Sequence, residues 1–253
     1  MTLTDVPRCA ITFDIDWAPD FVLLDVLAQL VRHQVKATWF VTHATPVLDA
    51  ISAYPALFEL GVHPNFGDGS SHGATPEAVI RHCTAIVPGA RAMRTHSLVQ
   101  SSPILATVLA SSAIRIDVSM FLPRATWLRP VVHRFTEDTL MRLPYSWADD
   151  YEMVQPDPQW NLVPLPATDT ATTILDFHPI HVALDDPSPA AYTALKRRVP
   201  RLTELSRSDL ESSRACGGGG GGSGTTLAAL ITHLARTGGS RTVSELAAES
   251  AGT

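Results

Sequence analysis

Two carboxylates near the start of the sequence are spaced so that they would share one small space. Asp14 and Asp16 come directly after the apolar run CAITF, and residues two apart on a β-strand point to the same side. Two unpaired carboxylates would repel each other there, so a cation, or a proton on one of them, is expected. Alternatively, one of them caps a helix that begins near Pro19, which would still leave the other without a partner.

Histidines and an arginine follow the ends of later strand-like runs. His63 ends FELGVH, and the glycine-rich loop after it could bring His72 close. Arg94 and His96 lie two apart after the next such run. Because a buried arginine needs a carboxylate, we expect Arg94 to pair with Asp14. The alternative for each histidine is a hydrogen-bonded loop position or a packing role.

The same pattern continues further along the chain. Asp117 ends IRID and His178 ends TTILDFH, and strand ends are where α/β barrels have their active sites. Asn65 is a candidate for a substrate contact or for a backbone turn. Tyr145 and Trp147 lie in a segment that mixes aromatic and acidic groups, which is typical of a sugar-binding wall or of a surface loop with one buried Trp.

These residues need a scaffold that gathers strand ends at one edge. From residue 9 to about residue 117, short β-rich runs alternate with helical patterns, which indicates stacked βα units. The later chain is less regular, and no internal repeat is evident. A length of 253 residues suits one closed α/β barrel. We therefore expect a single α/β domain over residues 1–253.

A run of six glycines at residues 217–222 follows a charged stretch. This composition predicts a flexible insertion over residues 196–224. A phosphate-binding loop is the alternative, but no GK[ST] sequence follows the glycines and no apolar strand precedes them.

Composition restricts the partners. The net charge is -6, so there is no basic excess to neutralise nucleic-acid phosphates. No stretch approaches the roughly 18 apolar residues of a membrane span, and the first residues do not resemble a signal peptide. Three widely separated cysteines fit a reducing compartment. We expect a cytoplasmic protein, while the composition favours no particular oligomeric state.

The order of these motifs resembles that of the polysaccharide deacetylases of carbohydrate esterase family four, which share the NodB-homology fold. It is most similar to the WbmS-like branch associated with bacterial O-antigen gene clusters. The matching pieces are TFDID, GVHPNF with GSSHG, RTHSLVQSS, IRID and ILDFH. The resemblance implies a distorted (β/α) barrel, in which a divalent metal held by one Asp and two His activates water to remove an N-acetyl group from a sugar.

The resemblance also implies a metal-ligand set. Asp16 matches the metal-binding Asp, and His63 matches the first histidine of the HxxxH metal motif. Gly67 stands where the second histidine of that motif would be. We expect His72, reached across the glycine-rich loop, to replace it, with His96 as the alternative.

The catalytic roles follow from the same resemblance. Asp14 matches the general base, Arg94 the arginine that orients it, and His178 the general acid. Asp117 matches the carboxylate of the intervening motif. We expect Asp176 or Asp117 to keep His178 protonated.

Together these observations predict a hydrolase that removes an N-acetyl group from a nucleotide- or lipid-linked precursor of a surface polysaccharide. Zinc is the expected metal, since an open zinc site lowers the pKa of bound water to about 7. One alternative is a metal-dependent amide hydrolase acting on a small non-sugar substrate, because a fold does not fix its substrate. Another is a noncatalytic member that binds a glycan, which the altered histidine motif favours.

Overall fold

A largely parallel β-sheet forms the frame of the protein. The computed structural model describes residues 8–165, 172–214, 216–217 and 219–251. Within these ranges the strands are β1 (Cys9–Asp14), β2 (Ala37–Val41), β3 (Phe58–Val62), β4 (Ala92–Met93), β5 (Ile116–Asp117), β6 (Val131–Arg134), β7 (Thr139–Arg142), β8 (Trp147–Ala148) and β9 (Thr173–Phe177).

The strand order explains the shape of the sheet. It runs β6-β7-β5-β4-β3-β2-β1-β9-β8, with parallel pairing between neighbours except for the antiparallel pair β6 and β7. Strands β6 and β8 are its two edges, so the curled sheet is an open barrel. The predicted α/β class and distorted barrel are confirmed.

Helices connect the strands and cover the sheet. In the described part of the chain they are α1 (Asp20–His33), α2 (Val47–Ser52), α3 (Pro76–Ile86), α4 (Ser102–Ser111), α5 (Asp149–Glu152), α6 (Pro179–Leu184), α7 (Ala190–Arg198), α8 (Arg207–Arg214), α9 (Ser223–Thr237) and α10 (Val243–Ala251). Among these helices, none combines the length and apolar character that a bilayer crossing demands.

Helices α3 and α4 begin with the side-chain caps that their residue types predict, whereas α1 begins without one. The hydroxyl of Thr75 accepts the N–H of Ala78 in the first turn of α3, and that of Ser101 accepts the N–H of Ile104 in the first turn of α4, as their residue types predict. Pro19 precedes α1 without a side-chain cap. Neither Asp14 nor Asp16 caps that helix, so both carboxylates remain for another role.

Strand β1 lies at the centre of the core. All six of its residues are buried. The ring of Phe13 stacks on Trp39 of β2, with 4.5 Å between centroids, and also contacts Phe177 of β9 at 6.1 Å. Burying a large apolar side chain stabilises the fold by about 1.5–3 kcal/mol. These contacts on both sides fix the strand that carries Asp14.

The range 196–224 contains more regular structure than its composition indicates. It includes the end of α7, a short 3-10 turn at Leu202–Glu204 and α8. Leu202, Leu205 and Leu210 are buried, so these turns pack against the rest of the fold. The single-domain arrangement and the mobility of 196–224 stay predictions.

Two glycines near the end of this range are required by close packing. A Cβ atom on Gly222 would lie 2.5 Å from the backbone of Asp186, and one on Gly224 would lie 2.6 Å from the carbonyl oxygen of Val182. A larger residue at either position would push the chain away from α6. The start of α9 therefore depends on glycine to approach α6 closely.

Candidate active site

The candidate active site lies where four parallel strands end. Asp14 is the last residue of β1, and His63, Arg94 and His178 directly follow β3, β4 and β9. Because the strands run in the same direction, their carboxyl ends meet at one edge of the sheet. The sequence pattern of polar residues after buried runs thus leads to one cluster.

Three potential metal ligands form a small triangle. The Oδ1 atom of Asp16 is 3.3 Å from Nε2 of His63 and 3.3 Å from Nδ1 of His96, and the two ring nitrogens are 3.3 Å apart. Ligand atoms that bind a tetrahedral zinc ion at about 2.0–2.1 Å are about 3.3–3.4 Å apart. The buried Oδ1 has no regular hydrogen-bond partner among the described residues. The triangle therefore fits a divalent cation.

Neighbouring groups orient the ring of His63 and favour the ionised form of Asp16. The Nδ1 atom of His63 lies 2.7 Å from the carbonyl oxygen of Arg94. Because a carbonyl oxygen only accepts, Nδ1 donates its proton there, and Nε2 is the ring nitrogen that faces Asp16. Burial opposes the charge of Asp16, but contacts with His63 and His96 hold its pKa well below the usual value. An ionised carboxylate thus faces a ligand nitrogen.

The backbone is in the left-handed conformation at or directly after two members of the triangle, Asp16 and His96. Asp16 and Trp17 have φ values of 34° and 56°, and Ser97 and Leu98, which follow His96, have 51° and 55°. Non-glycine residues in this region cost about 1–3 kcal/mol each and cluster at functional sites. The strained turns therefore accompany the positions of Asp16 and His96.

His72 does not join the triangle. Its Nδ1 atom accepts the backbone N–H of Asn65 at 3.1 Å, and its ring stacks on His82 with 4.9 Å between centroids. Burial lowers the pKa of His72 to about 4, so the ring is neutral. The glycine-rich loop folds back as predicted, but it directs this ring to the backbone. The side chain of Asn65 accepts the N–H of Gly67 at 2.9 Å, which is the turn alternative for that residue.

Arg94 is buried between two carboxylates and two aromatic rings. Its Nη1 atom donates to Asp14 at 2.9 Å and also contacts Asp176. The guanidinium carbon lies 4.8 Å from the ring centre of Phe40 and 4.5 Å from that of Tyr145. The predicted pairing of Arg94 with Asp14 is confirmed. Burial raises the pKa of Asp176 well above its usual range.

His178 lies beside Asp16 of the triangle. Its Nε2 atom is 3.7 Å from Oδ2 of Asp16, and its Nδ1 atom is 2.7 Å from Oδ1 of Asp149. The Oδ2 atom of Asp149 accepts the backbone N–H of His178 at 2.9 Å and the hydroxyl of Ser223 at 2.7 Å. Burial opposes protonation, but Asp149 raises the pKa of His178 well above its usual value. The ring is therefore a proton donor near neutral pH.

The carboxylate beside His178 differs from the expected one. Asp149, rather than Asp176 or Asp117, makes the contact. The available signal was the acidic pair directly after the strand-like residues Trp147–Ala148, since that pair also follows a strand end. No sequence pattern indicates a role for Ser223, because its hydroxyl reaches Asp149 from a helix 74 residues later in the chain.

The remaining predicted residues have mixed positions. Asp117 accepts the Nε–H of Arg142 at 2.7 Å, and this contact gives its carboxylate a structural role between β5 and β7. Tyr145 lines the cavity of about 260 Å³ that also contains the triangle and His178. Trp147 donates to the carbonyl oxygen of Gln159 at 2.9 Å and lines a different cavity. Of the two aromatic residues, only Tyr145 borders the proposed reacting groups.

Removing the guanidinium of Arg94 should strongly destabilise the fold. Arg94→Leu would leave Asp14 and Asp176 buried without a cation, and breaking such a buried pair costs about 3–5 kcal/mol. Urea denaturation should show this loss in the free energy of unfolding. Arg207→Leu is the matched control, since Arg207 pairs with Asp25 at the surface and such a pair contributes at most about 1 kcal/mol. Equal losses in both variants would contradict the prediction.

Comparisons with known proteins identify a family that matches most of the chain. The family model described as WbmS-like polysaccharide deacetylase matches residues 11–196. A crystal structure from Bordetella bronchiseptica, described as a polysaccharide deacetylase involved in O-antigen biosynthesis, is 34% identical, with coverage of 91% of this chain and 90% of that chain and a TM-score of 0.76.

More distant structures are also similar to this chain. A 4-alpha-glucanotransferase from Thermococcus litoralis is 10% identical, covering 81% of this chain and 38% of that chain, with a TM-score of 0.48. The Xyl-CE4 domain of a xylanase from the hindgut metagenome of Trinervitermes trinervoides is 15% identical, covering 95% and 89%, with a TM-score of 0.46. No curated protein sequence matches significantly. The family match and the 34% identity over most of both chains establish that this chain belongs to the WbmS-like polysaccharide deacetylase family.

Proposed function

We propose that this chain is a metal-dependent deacetylase that removes the N-acetyl group from a sugar in a precursor of a surface polysaccharide. The observation that carries the proposal is the triangle of Asp16, His63 and His96, with Asp14 beside His63 and His178 beside Asp16. The family and the similar O-antigen protein from Bordetella bronchiseptica support the substrate class. The three widely separated cysteines further favour a cytoplasmic location for the proposed enzyme.

The proposed metal ligands are Asp16, His63 and His96. A donor set of one carboxylate and two imidazoles suits zinc better than magnesium or calcium, which prefer oxygen ligands. When bound with an open coordination position, such an ion polarises the amide carbonyl and acidifies water. In this proposal His96 supplies the third ligand atom. The absence of a histidine at position 67, where the HxxxH motif would have one, then gives no support to a noncatalytic protein.

Asp14 is the proposed general base. Arg94 contacts its Oδ1 atom at 2.9 Å, while its Oδ2 atom faces the triangle, 3.4 Å from Nε2 of His63. Arg94 therefore orients the carboxylate. The Oδ2 atom accepts the proton of the water molecule whose oxygen bonds to the amide carbon.

His178 is the proposed general acid. Asp149 holds its Nδ1–H at 2.7 Å, which stabilises the protonated ring and leaves the Nε2–H directed toward the cavity. As the C–N bond breaks, Nε2 gives its proton to the leaving nitrogen, so that acetate and a free amine are formed. Separate groups thus accept and donate protons, Asp14 beside His63 and His178 beside Asp16.

Metal binding should depend on His96 and not on His72. Protein purified without chelator should contain close to one divalent ion per chain by elemental analysis. His96→Ala should lose this ion, because one corner of the ligand triangle is removed. His72→Ala should keep it, with circular dichroism checking that both variants fold. Retention in His96→Ala together with loss in His72→Ala would reverse the ligand assignment.

Acetate release should require both proton-transfer groups. Asp14→Asn and His178→Gln should each lower kcat by about 10²–10⁴-fold on a panel of N-acetylated nucleotide sugars, the usual contribution of a general base or acid. His33→Gln is the control, since His33 is exposed at the end of α1. Full activity in either active-site variant would refute its proposed role.

The Ser223 hydroxyl should affect turnover more than binding. Ser223→Ala removes one hydrogen bond to ionised Asp149, which should lower kcat by about tenfold and leave KM nearly unchanged. Ser223→Thr, which keeps the hydroxyl, should recover part of kcat. Ser212→Ala is the control, because Ser212 only bonds the carbonyl of Ser208 on exposed α8. A change in KM alone would argue against this positioning role.

A further inference from the structure

A second cavity opens beside the proposed metal ligands. Its volume is about 430 Å³, and its lining includes Asp16 and His96, which also line the cavity that contains His178. Its lining also includes Lys196, near the end of α7, and Arg201, shortly after that helix. A ligand could therefore occupy the second cavity while one end of it lies at the triangle.

The two cavities differ in charge. Asp14, Asp16, Asp150 and Asp176 all line the cavity of the proposed acid and base. In the second cavity, Asp16 is the only acidic residue among the described residues of the lining, and two basic residues face it. The chain as a whole has a net charge of -6. Lys196 and Arg201 thus form a locally basic region beside the site in a chain that is acidic as a whole.

Both cations keep donors for a ligand. The Nζ atom of Lys196 donates to the carbonyl oxygen of Pro200, which holds the ammonium on the cavity wall while it retains further N–H donors. Arg201 donates from Nη1 to Glu204 at 3.2 Å, with the two side chains 80% and 62% exposed. Such an exposed pair contributes little, so an anion can compete for the guanidinium.

From this arrangement, and on the basis of the proposed function, we propose that the second cavity binds the phosphate or diphosphate group of a phosphate-linked N-acetylated sugar. Arginine and lysine together are suited to phosphate oxygens, since a guanidinium binds two of them at once and an ammonium acts as a point charge. The acetamide group would then lie at Asp16 and His96. The same chemistry accommodates a nucleotide-linked and a lipid-linked sugar.

Kinetics on charged and neutral substrates test this subsite. The substrates are uridine diphosphate N-acetylglucosamine, a short-chain polyprenyl diphosphate N-acetylglucosamine and the neutral methyl glycoside of N-acetylglucosamine. Wild-type protein should have a higher kcat/KM on one or both diphosphates than on the glycoside, and the better diphosphate identifies the source. Lys196→Ala and Arg201→Ala should each reduce the ratio of kcat/KM on the better diphosphate to kcat/KM on the glycoside by about tenfold. This is on the order of the contribution of one charge-assisted hydrogen bond.

Direct binding separates failure of the subsite from failure of the deacetylase. Isothermal titration of uridine diphosphate should give a Kd about tenfold weaker in Lys196→Ala and Arg201→Ala. Arg197→Ala is the control, since Arg197 is exposed on the same helix. Unchanged Kd values, or a preference for an N-acetylated uronate over both diphosphates, would overturn the subsite. Loss of acetate release with the expected binding differences would overturn the deacetylase alone.

Discussion

A buried arginine joins the strands on which the site depends. Arg94, after β4, contacts Asp14 at the end of β1 and Asp176 within β9. A fully buried guanidinium is tolerated only with such partners, so these strands must keep the register that brings the three groups together. The carbonyl of Arg94 also accepts Nδ1–H of His63. One residue thereby orients both a candidate base and a candidate ligand.

The other side of the site depends on contacts between distant parts of the chain. Asp149 bonds His178, and Ser223 bonds Asp149 from the first turn of α9. That turn reaches its position because Gly222 and Gly224 pack against α6 without side chains. The glycine-rich sequence therefore has a structural consequence for the proposed acid that a description as a flexible linker does not include.

The strand-end residues could be predicted from the sequence, whereas the choice between histidines could not. Buried apolar runs followed by polar residues identify Asp14, His63 and His178, because parallel strands bring their ends together. The choice of His96 over His72 depends on two local features that residue spacing does not encode. One is the left-handed turn after His96, and the other is the hydrogen bond of His72 to the Asn65 backbone.

The proposed substrate choice, unlike the proposed chemistry, depends on residues that follow the barrel strands. The family match ends at residue 196, so Lys196 is its last residue and Arg201 lies outside it. The cavity of the proposed acid and base has mainly acidic charged residues in its lining, and the cavity beside it adds two cations that can attract an anionic group. Because a fold does not determine its substrate, a segment that adds two cations at the mouth can direct the same acid, base and ligand triangle toward phosphate-linked sugars.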